Sequence, residues 1–420
     1  MRRPVDAVVT RLVAVGLLAG VGLSLPLWFT ALRSAMPTVP VFDFLAEPGI
    51  LGLGIVLLGA FLVLYPNRKS PRLILLLFLI AAILSDVNRL QAWVWFYLLL
   101  LTAAIFYKDD EGKIKQSVVF QWIIASVYVW GGIYKITPYF AEDNFSWFCD
   151  AFAFMKPMGA HPFWGYVLAF SEAVLGIGLL VPFTRRVFRY LALLFHGSVV
   201  LMLSPLGLNW NLVVIPWNLT MATMVWLLFS SGNAISLQAI FSPSKKLRSR
   251  EIVGVTRSHA DNTPGQWEYM LRIILLRLKK RLLLQFWPQY LILFAACLAP
   301  ALNLLGFWPD ALSWKMYSNT QSEATFYAPA GAPKGGVSKY WDQHAFNNGH
   351  DLLLDDWSNE ELKTPILPQR RVFMQIGRYL CNCTEQKDSA GLYILTVDPY
   401  HKAAEQMEFI PCDRLLQQKR

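Results

Sequence analysis

Nine apolar stretches constrain this chain more than any other feature of its sequence. They cover residues 12–32, 50–65, 73–85, 91–107, 117–137, 165–183, 190–206, 208–230 and 286–305. A helix of about 20 apolar residues crosses a bilayer, and 55% of all residues here are hydrophobic while 16% are charged. The sequence therefore predicts an all-α polytopic membrane protein with about nine transmembrane helices.

Basic residues concentrate in the loops between these stretches, which predicts the topology. With a cytoplasmic N-terminus, every strongly basic loop falls on the cytoplasmic side: residues 67–72, 108–115, 185–189, 245–250 and 277–281. The net charge of +10 then reflects membrane topology, and we expect no nucleic-acid partner. We expect the protein to lie in a bacterial inner membrane, where lipid surrounds it.

The predicted topology divides the chain into four regions. The run at 12–32 is too long for a signal peptide and no cleavage site follows it, so we expect a retained first helix. Domain 1–230 then holds eight spans, and 231–285 is a cytoplasmic basic loop with an amphipathic helix at 267–284 on the membrane surface. The last span, 286–305, leads to residues 306–420.

Residues 306–420 are polar and contain short β-like runs at 371–374 and 392–397. They predict a small extracytoplasmic α+β domain. Of the five cysteines, Cys297 lies within a predicted span. The other four fall on the predicted outer side, where disulfides persist: Cys149, Cys381, Cys383 and Cys412. We favour a disulfide between Cys412 and either Cys381 or Cys383, although a Cys-x-Cys pair also suits metal binding or electron transfer.

Polar side chains inside the apolar stretches are the candidate site. They are Lys135, Glu172, His196, and the group Asn209, Asn211, Trp217 and Asn218 near the start of the eighth stretch. A cation at the centre of a spanning helix costs about 3 kcal/mol or more, so it usually faces a partner or a wet cavity. The topology puts Lys135, Glu172 and Asn218 near the outer surface and His196 nearer the middle, where they could line one cavity.

Simpler interpretations exist for the same residues. Lys135 could snorkel at its helix end, since Pro138 follows within three residues. Glu172 and Lys135 could form a structural ion pair, and His196 a packed, hydrogen-bonded helix residue. No metal-binding motif is present, and we predict no metal.

Residues 127–135, Val-Tyr-Val-Trp-Gly-Gly-Ile-Tyr-Lys, resemble a segment of the vitamin K-dependent gamma-glutamyl carboxylases and their HTTM relatives. There, an aromatic residue, a small pair and a lysine close a transmembrane helix. Residues 171–180 with Pro182 are similar to a helix of DoxX and MauE relatives as well. Leu194-Phe195-His196 and Pro216-Trp217-Asn218 are similar to the histidine helix and its successor in carboxylases. The resemblance spans residues 127–230 and does not reach 306–420.

The resemblance implies that Lys135 is a catalytic base that deprotonates a reduced naphthoquinone. His196 or an asparagine would hold the ring oxygens, and a quinone or naphthoquinol would be the cofactor. A lysine acts as a base only when it is uncharged, and burial among apolar helices favours the uncharged amine. Glu172 close by would favour the ammonium form.

Three functional hypotheses follow. The first is a membrane enzyme that acts on a quinol or another lipid-soluble substrate through Lys135. The second is a non-catalytic membrane subunit whose outer domain docks a protein partner or substrate, using residues 314–317 and the acidic segment 351–361. The third is a DoxX-like, quinone-linked redox subunit.

Overall fold

A computed structural model describes residues 5–42, 44, 49–106, 116–230, 290–329, 333–385, 387–399, 401 and 405–417. Several predicted features lie outside these residues. They are the basic loop at 108–115, the region 231–285 with its surface helix at 267–284, and the first residues of the last span.

The first part of the chain is helical. Its helices are α1 (Val5–Leu23), α2 (Leu25–Trp28), α3 (Ile50–Leu64), α4 (Lys69–Ser85), α5 (Ala92–Phe106), α6 (Gln116–Tyr134), α7 (Phe145–Cys149), α8 (Lys156–Gly159), α9 (Pro162–Leu180), α10 (Arg185–Leu203) and α11 (Val214–Leu228). After the gap, Tyr290–Leu305 forms a further apolar helical segment, α12. Short 3₁₀ or π turns join several of these helices.

Four of the described helices, α1, α6, α9 and α10, are long and apolar enough to cross a membrane. The apolar helices α3, α5, α11 and α12 are shorter. Large apolar side chains cover the outward faces of these helices, among them Leu57, Phe170 and Leu194. Apolar surface of this extent is unusual on a protein surrounded by water.

Several predicted helix bounds are wrong, and charge or turn residues explain the shifts. The first helix covers Val5–Leu23 and not 12–32, because Arg11 is accommodated inside it and the chain turns at Ser24. The Arg11 Nε donates to the Val63 carbonyl at 2.9 Å. The eighth stretch starts its helix only at Val214, because residues 204–213 form an irregular turn.

The C-terminal part contains a five-stranded antiparallel sheet in the order β2-β3-β1-β4-β5. The strands are β1 (Glu323–Tyr327), β2 (Ala345–Phe346), β3 (Asp351–Leu353), β4 (Gly391–Thr396) and β5 (Gln406–Pro411). The helices are α13 (Val337–His344), α14 (Leu354–Glu361), α15 (Arg370–Cys383) and α16 (Cys412–Gln417). The expected small α+β unit is confirmed.

One predicted strand is wrong and one is confirmed. Residues 371–374 belong to helix α15, whereas the run at 392–397 is strand β4. Residues 372, 373, 376, 377, 380 and 381 are buried along α15, a helical spacing that four residues alone cannot display. A disulfide joins Cys381 in α15 to Cys412 in α16, which are 31 positions apart in the sequence and have Cα atoms 5.5 Å apart. Cys149, Cys297 and Cys383 are free thiols.

The C-terminal unit is docked on one end of the helices through a buried carboxylate. Glu361 accepts hydrogen bonds from the backbone N–H groups of Ser34, Ala35 and Met36 at 2.5, 2.7 and 2.9 Å. Its other donor is the Trp357 indole, at 2.7 Å. Since all three backbone groups belong to the loop after α2, this contact fixes that loop against α14.

Asp355 makes the stability of the C-terminal unit depend on pH. Burial raises its pKa from 3.8 to about 6, and the nearby charges of Asp356 and Glu323 act in the same direction. Its oxygens accept from the Ile366 N–H at 3.0 Å and from the Asn359 amide at 2.9 Å. The unfolded chain loses this proton first as pH rises, so ionisation weakens the folded state between about pH 4 and 6.

We predict that Asp355→Asn increases the free energy of unfolding at pH 7 by about 1–2 kcal/mol and flattens its decline between pH 4 and 6. The full shift would give about 3 kcal/mol, but the asparagine amide has one acceptor oxygen for the two donors that the carboxylate satisfies, so part of this gain is lost. Unfolding of the detergent-purified protein across this pH range is the measurement. Asp342→Asn on the exposed side of α13 should leave the profile unchanged. A wild-type stability that rises from pH 4 to 6 in step with the variant would contradict the prediction.

Candidate functional site

Helices α6 and α9 pack in backbone contact, and glycines make this possible. A methyl group on Gly132 would lie 2.6 Å from the Ala169 carbonyl oxygen and would also collide with the Ala173 amide. One on Gly176 would lie 2.7 Å from the Ala125 carbonyl oxygen. Small residues at helix crossings permit this approach in membrane proteins. The two helices are therefore held at a fixed, short separation.

This short separation joins Lys135 to Glu172. Lys135 follows the last residue of α6, and its Nζ lies 2.7 Å from Oε2 of Glu172 in α9. The two side chains are only 8% and 6% exposed. A methyl group on Gly131 would lie 2.8 Å from Oε1 of Glu172, so this glycine leaves room for the carboxylate. The Phe140 ring lies 5.9 Å from the Lys135 Nζ.

A second buried group connects α6, α10 and α11. The Tyr128 hydroxyl lies 2.5 Å from Nε2 of His196, and Nδ1 of His196 lies 2.7 Å from Oδ1 of Asn218. The Asn218 amide donates to the Val214 carbonyl at 2.8 Å, so its oxygen faces the histidine. Because that oxygen can only accept, Nδ1 of His196 carries the hydrogen. In the neutral ring Nε2 then accepts from the Tyr128 hydroxyl.

The two groups share one face of α6. Tyr128 precedes Lys135 by seven residues, which is two helical turns or about 10 Å along the axis. The carboxylate of Glu172 acts electrostatically on the Tyr128 hydroxyl. The ion pair and the Tyr128–His196–Asn218 chain therefore lie one after the other along the same buried polar face of α6.

The remaining candidates, Asn209, Asn211 and Trp217, make other contacts. The Asn211 amide donates to the Tyr317 hydroxyl at 3.3 Å. Asn209 and Asn211 both have positive φ angles, 49° and 48°, which asparagine tolerates better than most residues. Trp217 packs against Phe96 with ring centroids 6.2 Å apart. The two asparagines lie in the turn at 204–213, whereas Asn218 lies in α11. A cofactor-binding role for Asn209, Asn211 and Trp217 stays a prediction.

Sequence reasoning missed Tyr128. Tyrosines in apolar helices are common, and this one lay inside the quoted motif without a role. Its position seven residues before Lys135, on the same helical face, was the available signal.

The chemistry available here is proton transfer. Lys135 and Glu172 can exchange a proton across their hydrogen bond, and Tyr128, His196 and Asn218 form a continuous hydrogen-bonded chain. Within the described part of the protein, no group of three or more His, Cys, Asp or Glu side chains is placed to hold a metal ion.

Comparisons of the chain with protein-family models, with curated proteins and with solved structures find no match. The fold and the site define a class only: a mostly helical protein with membrane-length helices, a small α+β unit and a buried lysine–glutamate pair. The resemblance to carboxylases, HTTM proteins and DoxX relatives stays a prediction that rests on the residues quoted above.

We predict that Gly132→Ala destabilises the protein by about 1–3 kcal/mol, because the added methyl forces α6 away from α9. Gly197→Ala in α10 is the matched control, since a methyl there meets open space and alanine is the better helix former. Thermal unfolding in detergent measures both. Equal melting temperatures for the two variants would show that the close approach of the helices is not required.

Proposed function

We propose that the chain is a multi-pass protein of a bacterial inner membrane, with nine spans and a cytoplasmic N-terminus. The membrane-length helices and their apolar outward faces support insertion. The C-terminal unit sits on the loop after α2, whereas the basic turn before α4 lies at the other end of the bundle. This polarity agrees with an extracytoplasmic C-terminal unit.

Within that membrane, the protein is an enzyme that acts on a quinol or another lipid-soluble hydroxyl compound. The observation that carries this proposal is the 2.7 Å contact between Lys135 and Glu172, both almost fully buried. Burying two charged groups costs several kcal/mol for each ion before their attraction is counted. Ionisable side chains within spanning helices commonly mark substrate or proton pathways.

The proton step uses both members of the pair. Lys135 passes one proton to Glu172, and the resulting amine accepts the proton of the substrate hydroxyl. The products are a substrate oxyanion, a lysine ammonium and a protonated Glu172. Glu172, whose charge favours the ammonium form of Lys135, is thus also the group that accepts the proton when the amine forms.

His196 takes a different part from the one first expected. Both of its ring nitrogens are engaged, by Tyr128 and by Asn218, so it does not hold a substrate oxygen directly. Tyr128 donates its hydrogen to His196 and keeps a lone pair for a substrate hydroxyl. We assign Tyr128 as the group that positions the substrate and His196 as the group that orients Tyr128.

The other hypotheses gain no specific support. Trp314 is completely buried, and Lys315, Asp351 and Glu361 are also buried, whereas Asp356 in the same acidic segment is exposed. Docking of a protein partner on the outer unit stays a prediction. The redox-subunit hypothesis stays a prediction.

We predict that Lys135→Arg keeps quinol binding within about threefold but lowers turnover by about 100-fold or more. Arginine preserves the positive charge and the ion pair but does not lose its proton in proteins, and a general base contributes about 10²–10⁴ in rate. The measurement is binding and oxidation or epoxidation of reduced naphthoquinone by purified protein in air-saturated buffer. Lys156→Arg, on exposed α8, is the control. Unchanged turnover in Lys135→Arg would exclude a base role, and absence of binding by wild type would exclude this substrate class.

A stability cycle tests the ion pair separately. We predict that Lys135→Met alone lowers the free energy of unfolding by about 3–5 kcal/mol, because it leaves a buried carboxylate unpaired. Lys135→Met with Glu172→Leu should regain most of this loss. If the double variant is stable and inactive, the pair is needed for chemistry and not for folding. If the losses of Lys135→Met and of Glu172→Leu, each measured alone, simply add in the double variant, the side chains do not interact as the geometry requires.

A further inference from the structure

A cavity of about 490 Å³ lies at the end of the bundle that faces away from the C-terminal unit. Arg11 and Val8 of α1 line one side, and Leu64, Tyr65 and Arg68 at the end of α3 line the other. This volume is within the range of small-molecule sites. The cavity is remote from Lys135 and has no part in the proposed proton step.

Two guanidinium groups, those of Arg11 and Arg68, line the cavity. Among the described residues, no carboxylate pairs with Arg11 or Arg68. Asp6, five residues before Arg11 on α1, is bound instead to the fully buried Arg72 at 2.8 Å. The Arg11 Nε is held by the Val63 carbonyl at 2.9 Å, which fixes its position beside the cavity.

The surroundings of the cavity are apolar on the outward side. Leu64 is 69% exposed and Tyr65 54% exposed, and Phe61 and Val15 continue this exposed apolar surface along α3 and α1. A ligand for the whole surface would need an anionic group for the arginines and hydrocarbon for the helix faces. A soluble phosphate offers only the first.

We infer that this cavity binds the phosphodiester of an anionic glycerophospholipid, with its acyl chains along the outward faces of α1 and α3. Arginine is well matched to phosphate oxygens because its planar donors bind two oxygens at once. The inference rests on the membrane insertion of the proposed function, although not on its chemistry. With a cytoplasmic N-terminus, the lipid belongs to the inner leaflet, where basic residues attract anionic headgroups.

The test is retention of phosphatidylglycerol by the detergent-purified full chain, measured by native mass spectrometry with phosphatidylcholine beside it. We expect wild type to retain phosphatidylglycerol preferentially. Arg11→Gln and Arg68→Gln should each weaken retention about fivefold, and the double variant about 25-fold. Arg186→Gln, which removes an exposed charge from the first turn of α10, should retain the lipid like wild type.

Arg11→Gln could disturb folding because it loses the bond to Val63. In that case the lipid retention of Arg68→Gln decides the test. Equal loss in Arg186→Gln would show diffuse attraction to net charge and overturn the site. Binding of inorganic phosphate as tight as that of phosphatidylglycerol would assign the cavity to a soluble phosphate compound and overturn the lipid. Lys135→Arg should keep the lipid, so failure of the quinol chemistry and failure of this site are distinguishable.

Discussion

The contact of α6 with α9 is the interaction on which the rest of the buried polar face depends. Gly132 and Gly176 bring the two backbones together, and at that separation the Lys135 Nζ reaches Glu172. A buried ion pair offsets its desolvation cost only when its geometry is good. Rigid backbone contact supplies that geometry, because neither helix can shift without breaking close packing. The same face of α6 then presents Tyr128 to His196, which fixes α10 and, through Asn218, α11.

Buried charges elsewhere in the chain follow the same requirement. Arg72 is completely buried, and it bonds to Asp6 and to the carbonyls of Pro66 and Ala104. Glu361 is saturated by three backbone N–H groups and one indole. The bonds of Arg72 to Asp6 and Ala104, and those of Glu361 to residues 34–36, join segments far apart in the sequence, so satisfying the charge also sets the tertiary arrangement. The arginines beside the α1–α3 cavity are the contrast, because their charges meet no acid among the described residues.

Part of this arrangement is predictable from the sequence. Lys135, Glu172, His196 and Asn218 stand out because polar side chains in apolar helices need partners, and the structure brings them together in two pairs. Which of these residues pair depends on how the helices cross, and the hydrophobic pattern of one helix gives no information about that crossing. Asn209 and Asn211 looked equivalent to Asn218, but a turn that no hydropathy pattern reveals sets them apart. The four residues at 371–374 fit a strand or a helix equally well, and only the longer buried spacing of α15 decides. Arg11 was expected to lie outside the first span because it is charged. In the structure it lies within α1, where the Val63 carbonyl accepts its hydrogen bond.

The depth of Lys135 bears on how it can act. A snorkelling lysine keeps its ammonium group in water, whereas this side chain is 8% exposed and ends on a carboxylate. In water, charge separation between an amine and a carboxyl group is strongly favoured by solvation. In an apolar helix bundle much of that solvation is lost. In the proposed step Glu172 therefore has a role beyond that of a counter-charge. It would take the proton that Lys135 must release before accepting another, and the hydrogen bond between the two side chains would be the path for that exchange.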